Sequence, residues 1–179
     1  MKATGIVRRI DELGRIVIPK EIRRTLRIRE GDPLEIYTDR EGGIILKKYS
    51  PIGELAAFAL DFAEALSTTL NLTAVICDRD TILAASGEHK RDYAERPVSG
   101  AFEDVINART VRKTSGTEVI PLVSGENQAL TSAQIIAPIS MDGQPIGAIA
   151  LVSRGGTIGD SEQKAAEAAA AFLGKQMAQ

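Results

Sequence analysis

The sequence contains one cysteine, one histidine and no tryptophan. A lone thiol, Cys77, excludes an intrachain disulfide and fits a reducing compartment. One cysteine and one histidine cannot supply zinc-ligand spacing, so no metal site is expected. Aromatic residues make up only 4% of the chain, too few for a binding surface built on stacked rings. No apolar run approaches the roughly 18–20 residues of a bilayer span, so no membrane partner is expected. The stretch from Met1 to Arg9 lacks the apolar centre of a secretory signal, and a cytoplasmic protein is expected.

What is present is the balance of a folded soluble chain: 44% apolar and 26% charged over 179 residues, which excludes disorder and collagen-like repeats. The net charge of −2 hides an asymmetry. Residues 1–50 carry 12 Lys and Arg against 8 Asp and Glu, and the remainder carries 10 against 16. Within residues 1–29 nine basic side chains face three acidic ones. A basic head on an acidic body points to nucleic-acid contact by the head.

The boundary is placed at Ser50-Pro51, where Ser50 can cap a helix that Pro51 opens. This gives a head over residues 1–50 and a body over 51–179. The head reads as a strand from Thr4 to Ile10, a turn at Asp11-Glu12-Leu13-Gly14 and a strand from Arg15 to Ile18. A helix follows from Pro19 to about Arg27, then a hairpin from Leu34–Thr38 into Ile44–Lys48 across Gly42-Gly43. About fifty residues without disulfide or metal bury too little apolar surface to stand alone, so the head is expected to be an obligate homodimer with strands paired between chains.

In the body, residues 51–70 form a helix with Leu55, Phe58, Phe62, Leu66 and Thr69 on one stripe. Leu72–Cys77 and Thr81–Ala85 form a hairpin around Asp78-Arg79-Asp80. Residues 86–97 are a polar loop, and Ser99–Ala108 is a helix. Glu118–Val123, Ala133–Ile139 and Ile146–Val152 are strands, the last two joined at Asp142-Gly143. Asp160 and Gln163 form a capping box for an Ala-rich helix over 161–177.

On a helix from Pro19 to Arg27, Lys20, Arg23, Arg24 and Arg27 fall within an arc of roughly 100°, opposite Ile22 and Leu26. Arg8, Arg9 and Arg15 flank that arc. Glu21 is the only acid in the helix, whereas an ordinary solvated face mixes signs. Guanidinium groups suit this role because their planar fork meets phosphate or guanine edges bidentately.

The run Thr4-Gly-Ile-Val-Arg-Arg-Ile-Asp-Glu-Leu-Gly-Arg-Ile-Val-Ile-Pro-Lys-Glu-Ile-Arg-Arg-Thr-Leu, with Leu34-Glu-Ile-Tyr and Ile45-Leu-Lys-Lys-Tyr, resembles the AbrB-type transition-state regulators. The resemblance implies a swapped-hairpin β-barrel, intertwined as a dimer, that binds double-stranded DNA. It maps DNA contacts to Arg8, Arg15, Arg23 and Arg24, with Arg9 added; Lys20 and Arg27 rest on the helix geometry alone. In the body, Pro138-Ile139, Gly143 and Pro145-Ile-Gly-Ala-Ile-Ala-Leu resemble the last hairpin of a GAF-type sensor domain. That implies an α/β unit with an antiparallel sheet and flanking helices, and a small-molecule pocket between the sheet and residues 86–110. The ligand is unidentified, and a purely oligomerising body is the equal alternative. Head and body together are similar to tetrameric regulators of forespore gene expression, and the whole chain is expected to be an α+β transcriptional regulator, a homotetramer through its body.

Catalysis is not expected. Cys77 lies in an apolar strand and His89 in a charged loop. Asp78 and Asp80 read better as a turn than as paired carboxylates. Gly155-Gly156-Thr157-Ile158-Gly159 lacks the residues of a phosphate loop. The remaining rival is an antitoxin-like head that binds a protein partner as well as DNA.

Overall fold

The computed structural model describes residues 5–52 and 56–178. The chain divides into two compact units, Met1–Tyr49 and Ser50–Gln179.

The first unit holds one short helix, α1 (Lys20–Thr25), and one antiparallel hairpin, β1 (Leu34–Thr38) with β2 (Ile44–Lys48). Asp39 shapes the hairpin turn, its Oδ1 accepting from the backbone N–H of Glu41 at 3.0 Å and Gly43 at 2.6 Å. Residues 5–10 and 15–18 form no strand, against the sequence expectation, and Thr4 lies outside the described residues. Among the described residues, the only ladder in this unit is that of β1 with β2. Among the described residues of this unit only Pro19 is buried. Ile6, Val7, Ile10, Leu13, Ile16, Val17, Leu26, Ile36, Ile44 and Leu46 are all exposed.

The second unit is a five-stranded antiparallel sheet in the order β4-β3-β7-β6-β5 with helices on both faces. Its strands are β3 (Thr73–Asp78), β4 (Ile82–Ser86), β5 (Arg112–Ser115), β6 (Ala133–Met141) and β7 (Gln144–Ser153). The β3–β4 turn is organised by Asp78, whose Oδ1 accepts from the N–H of Asp80 at 2.8 Å and of Thr81 at 2.7 Å. The β6–β7 turn uses Asp142 and Gly143 with φ of 49° and 78°, the positive pair that matches a tight hairpin to strand twist.

Helices α2 (Ala56–Leu70) and α4 (Asp160–Met177) cover one face. Pro51 sits in a turn ahead of α2, and Leu55 lies outside the described residues. The buried stripe of α2 is centred on Ala59, Ala63 and Ser67, not on the larger side chains, and Thr69 is exposed. Small residues let the helix approach the sheet, while Phe62 packs against the edge of that core and stacks with Phe172 of α4, centroids 5.8 Å apart, with Phe58 beside both rings. In α4, Gly174 lies so close to β6 that a Cβ there would overlap the Ser140 carbonyl. The cap of α4 also differs from expectation. Glu162 accepts from the Gly159 N–H at 2.8 Å, while Asp160 pairs with Lys113 at 3.0 Å.

The other face carries α3 (Gly100–Ala108), capped by the Ser99 hydroxyl, which accepts from the Phe102 N–H at 3.1 Å. The expected strand over Glu118–Val123 is absent. A 3-10 turn spans Gly116–Glu118, and the N–H groups of Leu122 and Val123 donate to the Glu126 carboxylate instead of a ladder. Pro121, which has no N–H, sits in the middle of that stretch. The short edge strand β5 is polar, Arg-Lys-Thr-Ser, and gave no alternating signal.

Gly147 in β7 tests the packing directly. A Cβ there would overlap the Cys77 carbonyl and lie 2.9 Å from Ile52 Cδ1. Gly147→Ala is therefore expected to destabilise the body by about 1–3 kcal/mol, seen as a lower urea midpoint at unchanged slope. An unchanged midpoint would show that the sheet yields at this point without cost.

Candidate nucleic-acid interface

Pro19, with φ −57° and ψ 147°, is the N-cap of α1. Its fixed φ and missing N–H suit it to a helix entrance. The helix places Lys20, Arg23 and Arg24 within its two turns, with Lys20 and Arg24 exposed and Arg23 half-buried. The Arg23 Nε makes no hydrogen bond among the described residues.

Arg27 departs from the expected arc. The helix ends at Thr25, and Arg27 takes the left-handed conformation with φ 52°. The N–H of Ile28 donates to the Arg23 carbonyl at 2.8 Å and that of Arg27 to the Arg24 carbonyl at 3.3 Å. That paired arrangement is a Schellman ending, with arginine where glycine is usual. Lys48 holds it from β2, its Nζ donating to the Arg27 carbonyl at 3.0 Å and pairing with the Asp32 carboxylate at 3.4 Å. With arginine at 27 in place of glycine, no residue type marks the helix end there.

Arg8, Arg9 and Arg15 are exposed. Arg8 and Arg9 enter, and Arg15 leaves, a hairpin turn built on Asp11. The N–H of Asp11 donates to the Arg15 carbonyl at 3.1 Å, and the N–H of Gly14, at φ 75°, donates to the Asp11 carbonyl at 3.0 Å. Asp11 Oδ1 accepts from the N–H of Leu13 at 3.0 Å and of Arg15 at 2.8 Å. Its Oδ2 accepts from Arg15 Nε at 2.8 Å. The backbone and side-chain hydrogen bonds from Arg15 hold the Asp11 carboxyl below the ordinary aspartate range. Sequence reading took this segment only as a turn and missed the carboxylate's hold on the arginine.

On the body's second face, buried side chains pack between the sheet and α3. Tyr93, Phe102 and Ile106 are fully buried there against Val75, Ile136 and Ala150, with Leu122 closing over them. Tyr93 lies in the segment read as a polar loop. Its hydroxyl donates to Glu126 at 2.7 Å, and burial together with that carboxylate pushes its pKa up to about 12. An open cleft of about 770 Å³ lies at one end of the sheet, where Gly87, Glu88 and His89 of the segment expected to border a pocket share the wall with Ser67, Arg154 and Thr157. Arg154 pairs with Asp92 at 2.6 Å, and the His89 ring lies 3.9 Å from the Glu88 carboxylate. Cys77 is fully buried in β3, and desolvation pushes its thiol far above the ordinary range, which leaves it no nucleophilic thiolate. Among the described residues no His, Cys, Asp and Glu cluster could hold a metal, and no helix is long and apolar enough to cross a membrane.

Residues 54–178 match the family model described as stage V sporulation protein T C-terminal, transcription factor. Over 179 residues, all of both chains, the sequence is 52% identical to stage V sporulation protein T of Bacillus subtilis (strain 168). The chain belongs to the stage V sporulation protein T family, regulators of sporulation genes. Its head is 71% identical over 51 residues to the transition state regulatory protein AbrB of the same organism, 28% of this chain and 52% of that protein. Residues 7–54 also match the model described as antidote-toxin recognition MazE, bacterial antitoxin. The fold of the body is that of the GAF domain of the nutrient sensor CodY from Clostridium difficile (TM-score 0.54, 15% identity, 88% of this chain and 94% of that one). It is shared by the GAF domain of an Acinetobacter phosphoenolpyruvate-protein phosphotransferase (TM-score 0.58, 11% identity, 69% and 82% covered).

The Asp11 geometry has a pH signature. A carboxyl depressed in the folded state stabilises the turn above the ordinary aspartate pKa and loses that contribution as pH falls through its lower folded value. The amide resonances of Leu13 and Arg15 are therefore expected to titrate together with a midpoint below about 3.9. A midpoint at or above that value would contradict the hydrogen bonds described.

Proposed function

We propose that this regulator acts as a sequence-specific reader of double-stranded DNA in the cytoplasm, gripping the duplex through a homodimer of heads. The observation that carries the reading is the head itself: a strongly basic unit whose apolar side chains are exposed in a single copy. A second copy covers those side chains and doubles the basic set. Arg8, Arg9, Arg15, Lys20, Arg23 and Arg24 are the contacts proposed. Arg27 loses its argument from helix geometry, since it lies beyond the helix. The likeness of the head to AbrB supports the reading.

The body joins two such dimers into a tetramer through the open side of α2 and α4, where Phe58 and Phe172 remain 37% and 42% exposed. Joining two DNA-binding dimers raises avidity through effective concentration. The match of residues 7–54 to an antitoxin model favours a second reading, a head that also seats a protein partner. The match of residues 54–178 to a model described as a transcription factor weighs against it. Recovery of one small stoichiometric partner from the native host would establish that second reading.

Two measurements test the assignment. The double variant Arg23→Ala, Arg24→Ala is expected to abolish binding to promoter-length duplex in fluorescence anisotropy while the protein stays folded. Retained binding at moderate salt would remove α1 from the interface. For the wild type, about 6–8 phosphate contacts imply a slope of log affinity against log salt near −5 to −7. Phe172→Ser is expected to reduce a tetramer to a dimer in light scattering; an unchanged mass would place the tetramer contact elsewhere.

A further inference from the structure

We propose that Asp11 is a positioning residue that aims the guanidinium of Arg15 at a guanine edge in the major groove. The inference rests on Arg15 being a DNA contact and goes beyond it by assigning its chemistry. Arg15 carries its five donors on three nitrogens. Asp11 Oδ2 takes the one on Nε, at 2.8 Å, and no other hydrogen bond of the Arg15 side chain is made among the described residues. The four N–H groups of the two terminal nitrogens, a planar fork, are therefore left unengaged among the described residues. That fork matches the O6 and N7 acceptors of guanine, whereas a phosphate contact needs no such fixed direction.

The carboxylate is itself held. Asp11 Oδ1 is bound by two backbone N–H groups of the turn, so the acid is part of the hairpin and not a swinging counter-ion. The Arg15 side chain is 70% exposed and that of Asp11 41%. An exposed long side chain ordinarily samples many rotamers, and fixing it in advance lowers the entropy lost on binding. A negative charge at a DNA-binding turn opposes the phosphates. Keeping one there is sensible if it contributes to discrimination between sequences and not to affinity for DNA in general.

Those two effects have opposite signs, which makes the inference testable on the full-length protein. The probes are a duplex enriched by the wild-type chain from a random pool and a shuffled duplex of the same composition. Asp11→Asn keeps an oxygen for the turn N–H groups and removes the charge; Asp11→Ser provides a second uncharged turn acceptor. Both variants are expected to bind the shuffled duplex at least as tightly as wild type, while the preference for the selected duplex falls about tenfold. Arg15→Ala should lose the same preference, and the double variant Asp11→Asn, Arg15→Ala should lose no more than Arg15→Ala. Replacing the contacted guanine by 7-deazaguanine, which lacks the N7 acceptor, should weaken wild type but not Asp11→Asn. If Arg15→Ala lowers the preference and both Asp11 variants leave it unchanged, Asp11 is only a turn residue and the inference fails. Full preference in Arg15→Ala instead removes Arg15 from sequence readout, and the inference falls with it.

Discussion

The head of this chain cannot bury its own apolar residues. Ten large apolar side chains stand exposed in a unit whose only buried described residue is Pro19, and each of them, once fully covered, contributes about 1.5–3 kcal/mol. Two segments rich in β-branched residues, 5–10 and 15–18, form no strand. A unit in that condition is stabilised by a second copy, and the basic residues lie on the same short stretch of chain. Folding and the assembly of a DNA-sized positive surface thus become one event in the proposed dimer. Arginines that would repel one another across it are brought together by burial of the isoleucines and valines beside them in sequence.

The body answers a different requirement. Its sheet is covered on both sides, and the two coverings are unlike. On one side small residues of α2 and α4 press against the strands and leave phenylalanines at the margin. On the other, α3 and the loops around Tyr93 and Leu122 close over the sheet and fill the space between. The central strands β3, β7 and β6 are largely buried, whereas the edge strand β5 is not. Such a unit transmits orientation well, because close-packed interiors shift as blocks and do not deform locally. An α+β regulator built in this way keeps its adaptable surface in the head and its stiffness in the body.

Much of this was legible in the residues. The Asp142-Gly143 turn, the cap at Ser99, the β3–β4 hairpin and the two long strands each had a local signal in turn chemistry or apolar runs. The charge imbalance of the first 29 residues was equally plain. What was not legible depended on partners distant in sequence. Residues 5–10 and 15–18 have the composition of strands but form none. Glu118–Val123 is apolar enough for a strand, yet Pro121 and the Glu126 carboxylate divert its backbone. Tyr93 hides in a polar stretch, and only the fold brings Glu126 to its hydroxyl. Arg27 stops its helix through a clamp from Lys48, twenty-one residues away, where sequence reading looks for glycine.

Gly174 has a mechanical consequence. Its missing side chain lets α4 rest on the backbone of β6 at Ser140, next to the hairpin that joins β6 to β7. A slide of α4 by one turn along its axis would bring a residue with a side chain onto that carbonyl. The contact is thereby a stop against translation: it fixes the axial position of α4 on the sheet, and with it the height at which Phe172 meets Phe58 and Phe62.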